Sequence, residues 1–375
     1  MVIEKATSKE ILVGYYGYEP LKKLDKDDRA TIYEAVCLVA GFARKFNIRQ
    51  RKEKKRIENP KLIKNIRIAK FFAMGMVFAG IALAFAIVIC SYIGNRSFRE
   101  TFHNVSSLKV NNEIRVIQLT DLHNCSYGKG NAKLIDRIAK LNPDVIVCTG
   151  DMLDSVKNRK EEIAKLCGAL SEIAPSYYVY GNNEVEVVYD MPLSLTTLDK
   201  KFGYNDKFRE EGRIESMKDE FETMLEKTGI KVLKNEKDTI TVGTTSIDVY
   251  GVLTSNPSSF WPYGGKAFSD YLWANPDNLK ITAVHEPFIF EELYSDYWGD
   301  LMISGHTHGG LVRIPVIGPL YTNEGGLLPE RDNKYVYSRY NVSGRPLIVS
   351  SGLDNTNIFR INNEPELVII DINKF

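Results

Sequence analysis

Residues 71–94, FFAMGMVFAGIALAFAIVICSYIG, run for 24 positions without a charged side chain. A helix of that length spans about 36 Å, more than the roughly 30 Å of a bilayer's hydrocarbon core. Buried helices of soluble domains rarely go so far without a polar face. The run also begins too far along the chain, and is too long, for the apolar core of a cleaved signal peptide. The sequence therefore predicts one transmembrane helix at 71–94 with a separate environment on each side.

Charge follows the same division. The formal net charge of the whole chain is only +1, yet Arg44 to Lys70 holds twelve Lys/Arg against two Glu, and Asn95 onward holds 31 basic and 39 acidic residues. A basic cluster directly before the span places residues 1–70 in the cytoplasm and everything after Gly94 outside. The cluster has the composition to meet anionic headgroups or nucleic acid, but topology and lipid contact explain it more simply. Within 1–70, Ile32, Val36, Val39 and Phe42 recur at helical spacing, which predicts a small cytoplasmic helical and basic segment. Residues 95–112 are polar and irregular and read as a tether. The five cysteines include no CxxC pair, so neither a disulfide framework nor a zinc ribbon is indicated.

From Glu113 the pattern becomes short apolar runs alternating with amphipathic stretches. EIRVIQLTD (113–121), DVIVCTGD (144–151), SYYVYGNN (176–183), LKITAVHE (279–286), LMISGH (301–306), PLIVSS (346–351) and ELVIID (366–371) read as buried strands. Leu134, Ile135, Ile138 and Leu141 share one helical face, as do Ile163, Leu166, Leu170 and Ile173, and a further helix is expected over 216–227. Such alternation predicts an α/β domain over 113–375 whose sheets are covered on both faces.

Polar residues gather where those strands end. Asp121-Leu-His123 closes the first strand, Gly150-Asp151-Met-Leu-Asp154 the second and Gly181-Asn182-Asn183-Glu184 the third. His285 closes a later strand, and Gly305-His306-Thr-His308-Gly309-Gly310 the next. Ligands of open α/β sheets collect at the carboxyl ends of strands, and four of the five histidines fall at these positions. Taken singly, each element has a plain structural reading as a turn, a helix cap or a satisfied core histidine. Together, carboxylate, imidazole and amide oxygen form a donor set suited to divalent transition metals.

The ordered pattern D-x-H, G-D-x-x-D, G-N, H and G-H-x-H resembles the calcineurin-like metallophosphoesterases. TDLHN, SGHTHGG and a terminal strand after SSGL are closest to that family's membrane-linked bacterial branch. The resemblance covers roughly 113–375 and implies a four-layer α/β/β/α sandwich around two divalent metal ions. Carried over, Asp121, His123 and His308 hold one metal, Asn182, His285 and His306 the other, and Asp151 bridges them. Manganese is the first expectation for the ions, with iron or zinc as alternatives. The implied reaction is metal-dependent hydrolysis of phosphate esters or pyrophosphate bonds, a bridging hydroxide attacking phosphorus in line. Asp154 is expected to orient the site through hydrogen bonds, and Gly309 and Gly310 to let the backbone turn beside it.

The family usually places His after the metal-binding Asn, where this chain has Asn183. An amide supplies no proton at neutral pH, so Glu184 or a metal-bound water is the expected substitute. The missing acid predicts a bias toward good leaving groups, as in aryl esters or diphosphates. The expected substrate is a phosphorylated small molecule or lipid near the membrane. Two other readings stay open: a phosphodiesterase or nuclease, disfavoured by the acidic catalytic portion, and a non-catalytic metal-binding membrane protein. Residues 185–215 read either as a cap over the site or as a solvated excursion. Phe260, Trp261, Tyr263, Phe268, Tyr271 and Trp273 read either as a membrane-facing cluster or as local core.

Overall fold

The computed structural model describes residues 60–189, 219–253, 265–287, 299–314, 317–322, 326–327, 335–342, 344–355 and 360–375. The chain divides into two compact units, Met1–Leu83 and Ala84–Phe375. Helix α1 (Pro60–Gly94) runs through both. Its stretch Lys64–Ile89 is the one helix among the described residues long and apolar enough to cross a membrane. Phe71, Phe72, Met76, Val77 and Phe78 are all exposed, so neighbouring positions on different faces of the helix are apolar alike.

The second unit is built on β1 (Arg99–Ser107), β2 (Ile114–Leu119), α2 (Ala132–Leu141), β3 (Val145–Cys148), α3 (Lys160–Ser171), β4 (Ser176–Tyr178) and α4 (Asn182–Tyr189), followed by α5 (Glu220–Glu226), β5 (Lys231–Val232), β6 (Glu236–Val242), β7 (Thr245–Val252), α6 (Gly265–Trp273), β8 (Leu279–Val284) and β9 (Leu301–Ser304). Three short strands come next, β10 (Val312–Ile314), β11 (Gly318–Thr322) and β12 (Gly326–Leu327), and then β13 (Ser338–Val342), β14 (Arg345–Val349) and β15 (Glu366–Lys374). One six-stranded sheet has the order β1-β15-β2-β3-β4-β5, a second has β13-β14-β9-β8-β7-β6, and β10-β11-β12 form a small third sheet.

Successive strand residues point to opposite faces, and in the central strands both faces are buried. Val116, Val145 and Val147 join Val249, Ile281 and Ile303 of the second sheet in one core. Their neighbours Ile117, Ile146 and Cys148 turn the other way, onto Ile138 of α2, Leu166 of α3 and Phe221 of α5. On the far side of the second sheet, Tyr250, Val252 and Met302 pack with Phe268 and Tyr271 of α6. Mixed α/β sheets buried on both faces thus replace the half-wet sheets that alternating polarity would have produced.

Several boundaries differ from expectation. The segment expected to be a tether contains β1, which pairs in parallel with β15 along nine residues, from Arg99↔Glu366 to Ser107↔Lys374. It is an edge strand, buried only at His103 and Val105, so its sequence RETFHNVSS carries little apolar pattern. The stretch 176–183 divides into β4 and the start of α4. Of the aromatic cluster, Phe268 and Tyr271 are core, Trp273 is 73% exposed, and Phe260, Trp261 and Tyr263 lie outside the described residues. Positions 28–46 and 190–215 also lie outside them.

Candidate metal centre

The strand-end motifs converge on the seam between the two large sheets. Asp121, Asp151 and Asn182 follow β2, β3 and β4 of the first sheet, whereas His285, His306 and His308 follow β8 and β9 of the second. Across the seam, Gln118 Nε2 donates to the Ser304 carbonyl at 2.8 Å, and within its own sheet to Thr149 Oγ1 at 2.9 Å. At Gly305 a Cβ would run into the Thr120 side chain and the Asp121 carboxylate, so only glycine lets the sheets approach here. Asp121, His123, Asp151, His306 and His308 all have positive φ, between 48° and 71°. A left-handed backbone costs a non-glycine residue on the order of 1–2 kcal/mol, and its concentration at one place is a mark of a functional site.

Ligand-type atoms form two groups, Asp121, His123 and His308, and Asp151, His285 and His306, and within each group they all lie within 4.8 Å of one another. His308 Nε2 is 3.6 Å from Asp121 Oδ1, and His285 Nε2 is 3.3 Å from Asp151 Oδ2. The groups adjoin, since Asp151 Oδ2 is also 3.9 Å from His123 Nε2, and Asp121 Oδ1 is 3.9 Å from His285 Nε2. Asn182 Oδ1 stands 3.0 Å from His306 Nδ1, which adds an amide oxygen to the second group. Two buried carboxylates ringed by four imidazoles match the mixed N/O sets that hold divalent transition metals, and the residues fit two such ions.

Backbone groups fix the orientation of these side chains. His285 Nδ1 donates to the Thr149 carbonyl at 2.8 Å, which turns Nε2 into the site. Burial alone would raise the Asp151 carboxyl, but the His285 and His123 imidazoles and the Asn183 N–H outweigh it and hold it at about 2. Burial would lower His285, and Asp151 with Asp121 instead push it up to about 10. His308 is driven well below its ordinary value by burial, with His123 and Arg360 adding to the effect.

The residues expected to assist the chemistry have plainer contacts. Glu184 is fully buried and accepts from four donors: the N–H groups of Asp151 (2.7 Å), Gly181 (2.8 Å) and Leu153 (2.9 Å) and the Tyr178 hydroxyl (2.7 Å). Each oxygen already takes two donors, so a proton there would displace one of them, and the side chain clamps the Asp151 loop. Asp154 Oδ1 accepts from the N–H groups of Val156 and Lys157, closing the turn after that loop. Asn183 donates through its backbone N–H to Asp151 Oδ1 at 2.8 Å, and its amide nitrogen lies 2.9 Å from Asp151 Oδ2 and 3.0 Å from His123 Nδ1. His103 is buried in β1, opposite Ile370.

Sequence reasoning missed the brace behind His308. Asn363 Nδ2 donates to the carbonyls of His308 (2.6 Å) and Gly310 (2.8 Å), and the buried Arg360 guanidinium approaches the His308 carbonyl at 3.4 Å. These residues come more than fifty positions after the loop they hold, in a stretch without periodicity or motif.

Residues 114–310 match the Metallophos family, described as calcineurin-like phosphoesterase. The uncharacterized metallophosphoesterase YkoQ of Bacillus subtilis is 26% identical over 293 residues, covering 75% of this chain and 94% of that protein. UDP-2,3-diacylglucosamine pyrophosphatase LpxG of Chlamydia trachomatis is 25% identical, over 68% of this chain and 83% of its own length. Phosphodiesterase YaeI of Escherichia coli is 24% identical, over 69% and 82% respectively.

Proposed function

Because the chain belongs to the calcineurin-like phosphoesterase family and is a hydrolase of phosphoric esters, we propose that it cleaves a phosphate ester or pyrophosphate bond of a membrane-associated substrate at a binuclear metal centre. The observation that carries this reading is the pair of adjoining ligand groups at the seam. Two divalent ions, one on Asp121, His123 and His308 and one on Asn182, His285 and His306 with Asp151 between them, would clamp a phosphoryl group and activate water. Manganese is the first candidate, and the same donors suit iron or zinc.

The protein's own groups position that chemistry. Glu184 fixes the Asp151 loop, the Thr149 carbonyl sets the His285 tautomer, and Asn183 steadies Asp151 beside His123. Asn183 has no proton to give a departing alkoxide, and Glu184 is fully engaged as an acceptor, so substrates with good leaving groups are favoured. A diphosphate meets that need, and the similarity to a UDP-2,3-diacylglucosamine pyrophosphatase points the same way. The architecture is read as the four-layer α/β/β/α sandwich, with the catalytic domain beginning at Arg99 rather than after residue 112. Helix α1 serves as a single transmembrane anchor, the basic residues before it in the cytoplasm and the catalytic domain outside.

The test is phosphate release by the full chain in detergent, with and without added Mn²⁺, from an aryl phosphate, an aryl phosphodiester and a lipid diphosphate. Metal-dependent turnover abolished by Asp151→Asn and by His308→Ala, with the diphosphate preferred, is the expected outcome. Preference for the diester would favour a phosphodiesterase. No turnover on any substrate, with metal bound, would refute catalysis.

A further inference from the structure

Strand β1 fixes the end of the sheet at which the chain enters the domain after α1. It runs parallel to β15, and β15 runs antiparallel to β2, so β1 begins at the sheet end where β2 delivers Asp121. Only four residues separate the end of α1 at Gly94 from Arg99, and they are tied down. Asn95 Nδ2 donates to the Arg360 carbonyl at 3.2 Å, Arg99 N–H to the Pro365 carbonyl at 2.7 Å, and Phe98 meets Tyr127 edge-on at 5.0 Å.

The same 360–363 segment carries the small third sheet on its other side. Arg313 N–H donates to the Ile361 carbonyl, Ile361 N–H donates to the Leu311 carbonyl, both at 3.0 Å, and Leu311 N–H donates to the Tyr321 carbonyl at 3.1 Å. Gly310, two residues after His308, has positive φ, and a Cβ there would strike Pro319 of β11. Helix exit, metal-ligand loop and small sheet therefore share one brace. That sheet shows apolar side chains to solvent: Ile317 is 76% exposed, Leu327 69% and Tyr321 39%, and Tyr321 pairs directly with Leu327.

We propose that the β10–β12 sheet is a lipid-docking surface, with Ile317, Tyr321 and Leu327 resting in the headgroup region of the bilayer that holds α1 and the metal site opening toward that surface. The inference rests on the reading of α1 as a membrane span. It commits to lipid because the patch is bonded, through one short segment, to the residue that leaves the span. Aliphatic side chains beside a tyrosine suit the boundary between acyl chains and headgroups. A substrate so presented keeps its acyl chains in the membrane while its phosphate reaches His306 and His308.

The test is fluorescence of the full chain in nanodiscs of phosphatidylcholine and phosphatidylglycerol containing nitroxide-labelled lipid. A polarity-sensitive label would be placed by Ile317→Cys, Leu327→Cys, Val77→Cys or Thr244→Cys, each with Cys37→Ser and Cys90→Ser. Thr244 is the dry-side control: its turn lies by Asn112, past the far end of β1, whose nine residues span about 30 Å. Quenching at 77, 317 and 327 but not at 244 is expected. Quenching at 77 alone would overturn the docking surface and leave the anchor standing, and quenching at none would overturn both. As a second readout, Ile317→Asp with Leu327→Asp should lower turnover of a bilayer-borne diphosphate and spare a soluble aryl phosphate. Equal rates for variant and parent on both substrates would contradict the proposal.

Discussion

The two six-stranded sheets bring different atoms to the seam they share. The first brings the oxygen donors Asp121, Asp151 and Asn182 together with a single imidazole, His123; the second brings imidazoles alone, His285, His306 and His308. Their support differs as well. The Asp151 loop is held by one buried carboxylate, Glu184, within the first sheet's own connections, while the His308 loop is held by Asn363 and Arg360 from a distant segment. The second sheet carries, away from the site, the fully buried ion pair Lys280–Asp248 at 3.1 Å. Neither sheet assembles a complete donor set, so the chemistry depends on how closely the two are packed.

Substitutions can break this division at graded points. The largest effect is expected from Asp151→Asn, whose carboxylate adjoins both ligand groups: turnover should fall to background and both metals should be lost, as read by phosphate release and metal content. His308→Ala should also end turnover but spare the group around Asp151, leaving one metal of the two.

Next comes the ion pair. Removing one partner from a buried pair costs about 3–5 kcal/mol, so Lys280→Met should lower stability by that order in chemical denaturation, while turnover per folded molecule is retained. The same pair gives a pH dependence. Burial raises the Asp248 carboxyl, but hydrogen bonds from Thr239, Asn278 and Lys280 outweigh it and the group is depressed overall. Its contribution is present above the ordinary carboxylate range and is lost as pH falls through the depressed value. The parent should thus lose more stability on acidification than Asp248→Asn does.

Glu184→Gln keeps the shape of the clamp and removes its charge. Comparable supporting residues at metal sites are worth about 10–100-fold, and turnover should fall by that order with partial rescue at high Mn²⁺. The smallest shift is expected for Asn183→His, which restores a proton source in a site not otherwise built for it. The alkyl-to-aryl rate ratio should rise, but by less than the roughly 10²-fold that a positioned acid contributes. An unchanged ratio would mean that leaving-group protonation does not limit this enzyme.

What the sequence disclosed, and what it hid, has a physical basis. Strands such as VIVC at 145–148 are buried on both faces and read as unbroken apolar runs, and the residues at their ends are contiguous motifs. The candidate donors were therefore legible together with the α/β class. Strand β1 was not, because an edge strand with two buried positions looks like polar linker. The brace from Arg360 and Asn363 was hidden because it acts through hydrogen bonds to main-chain carbonyls, which leave no pattern in the loop they hold. Glu184 was visible as a residue but not in its task, which only its four converging donors disclose.

The most direct test of a shared centre at the seam is the metal content of the purified full chain after equilibration with Mn²⁺ and removal of free ion. Two ions per chain in the parent, one in His308→Ala and none in Asp151→Asn is the result expected of two adjoining groups joined by one carboxylate. One ion or none in the parent, or two retained in Asp151→Asn, would contradict a binuclear site built from both sheets.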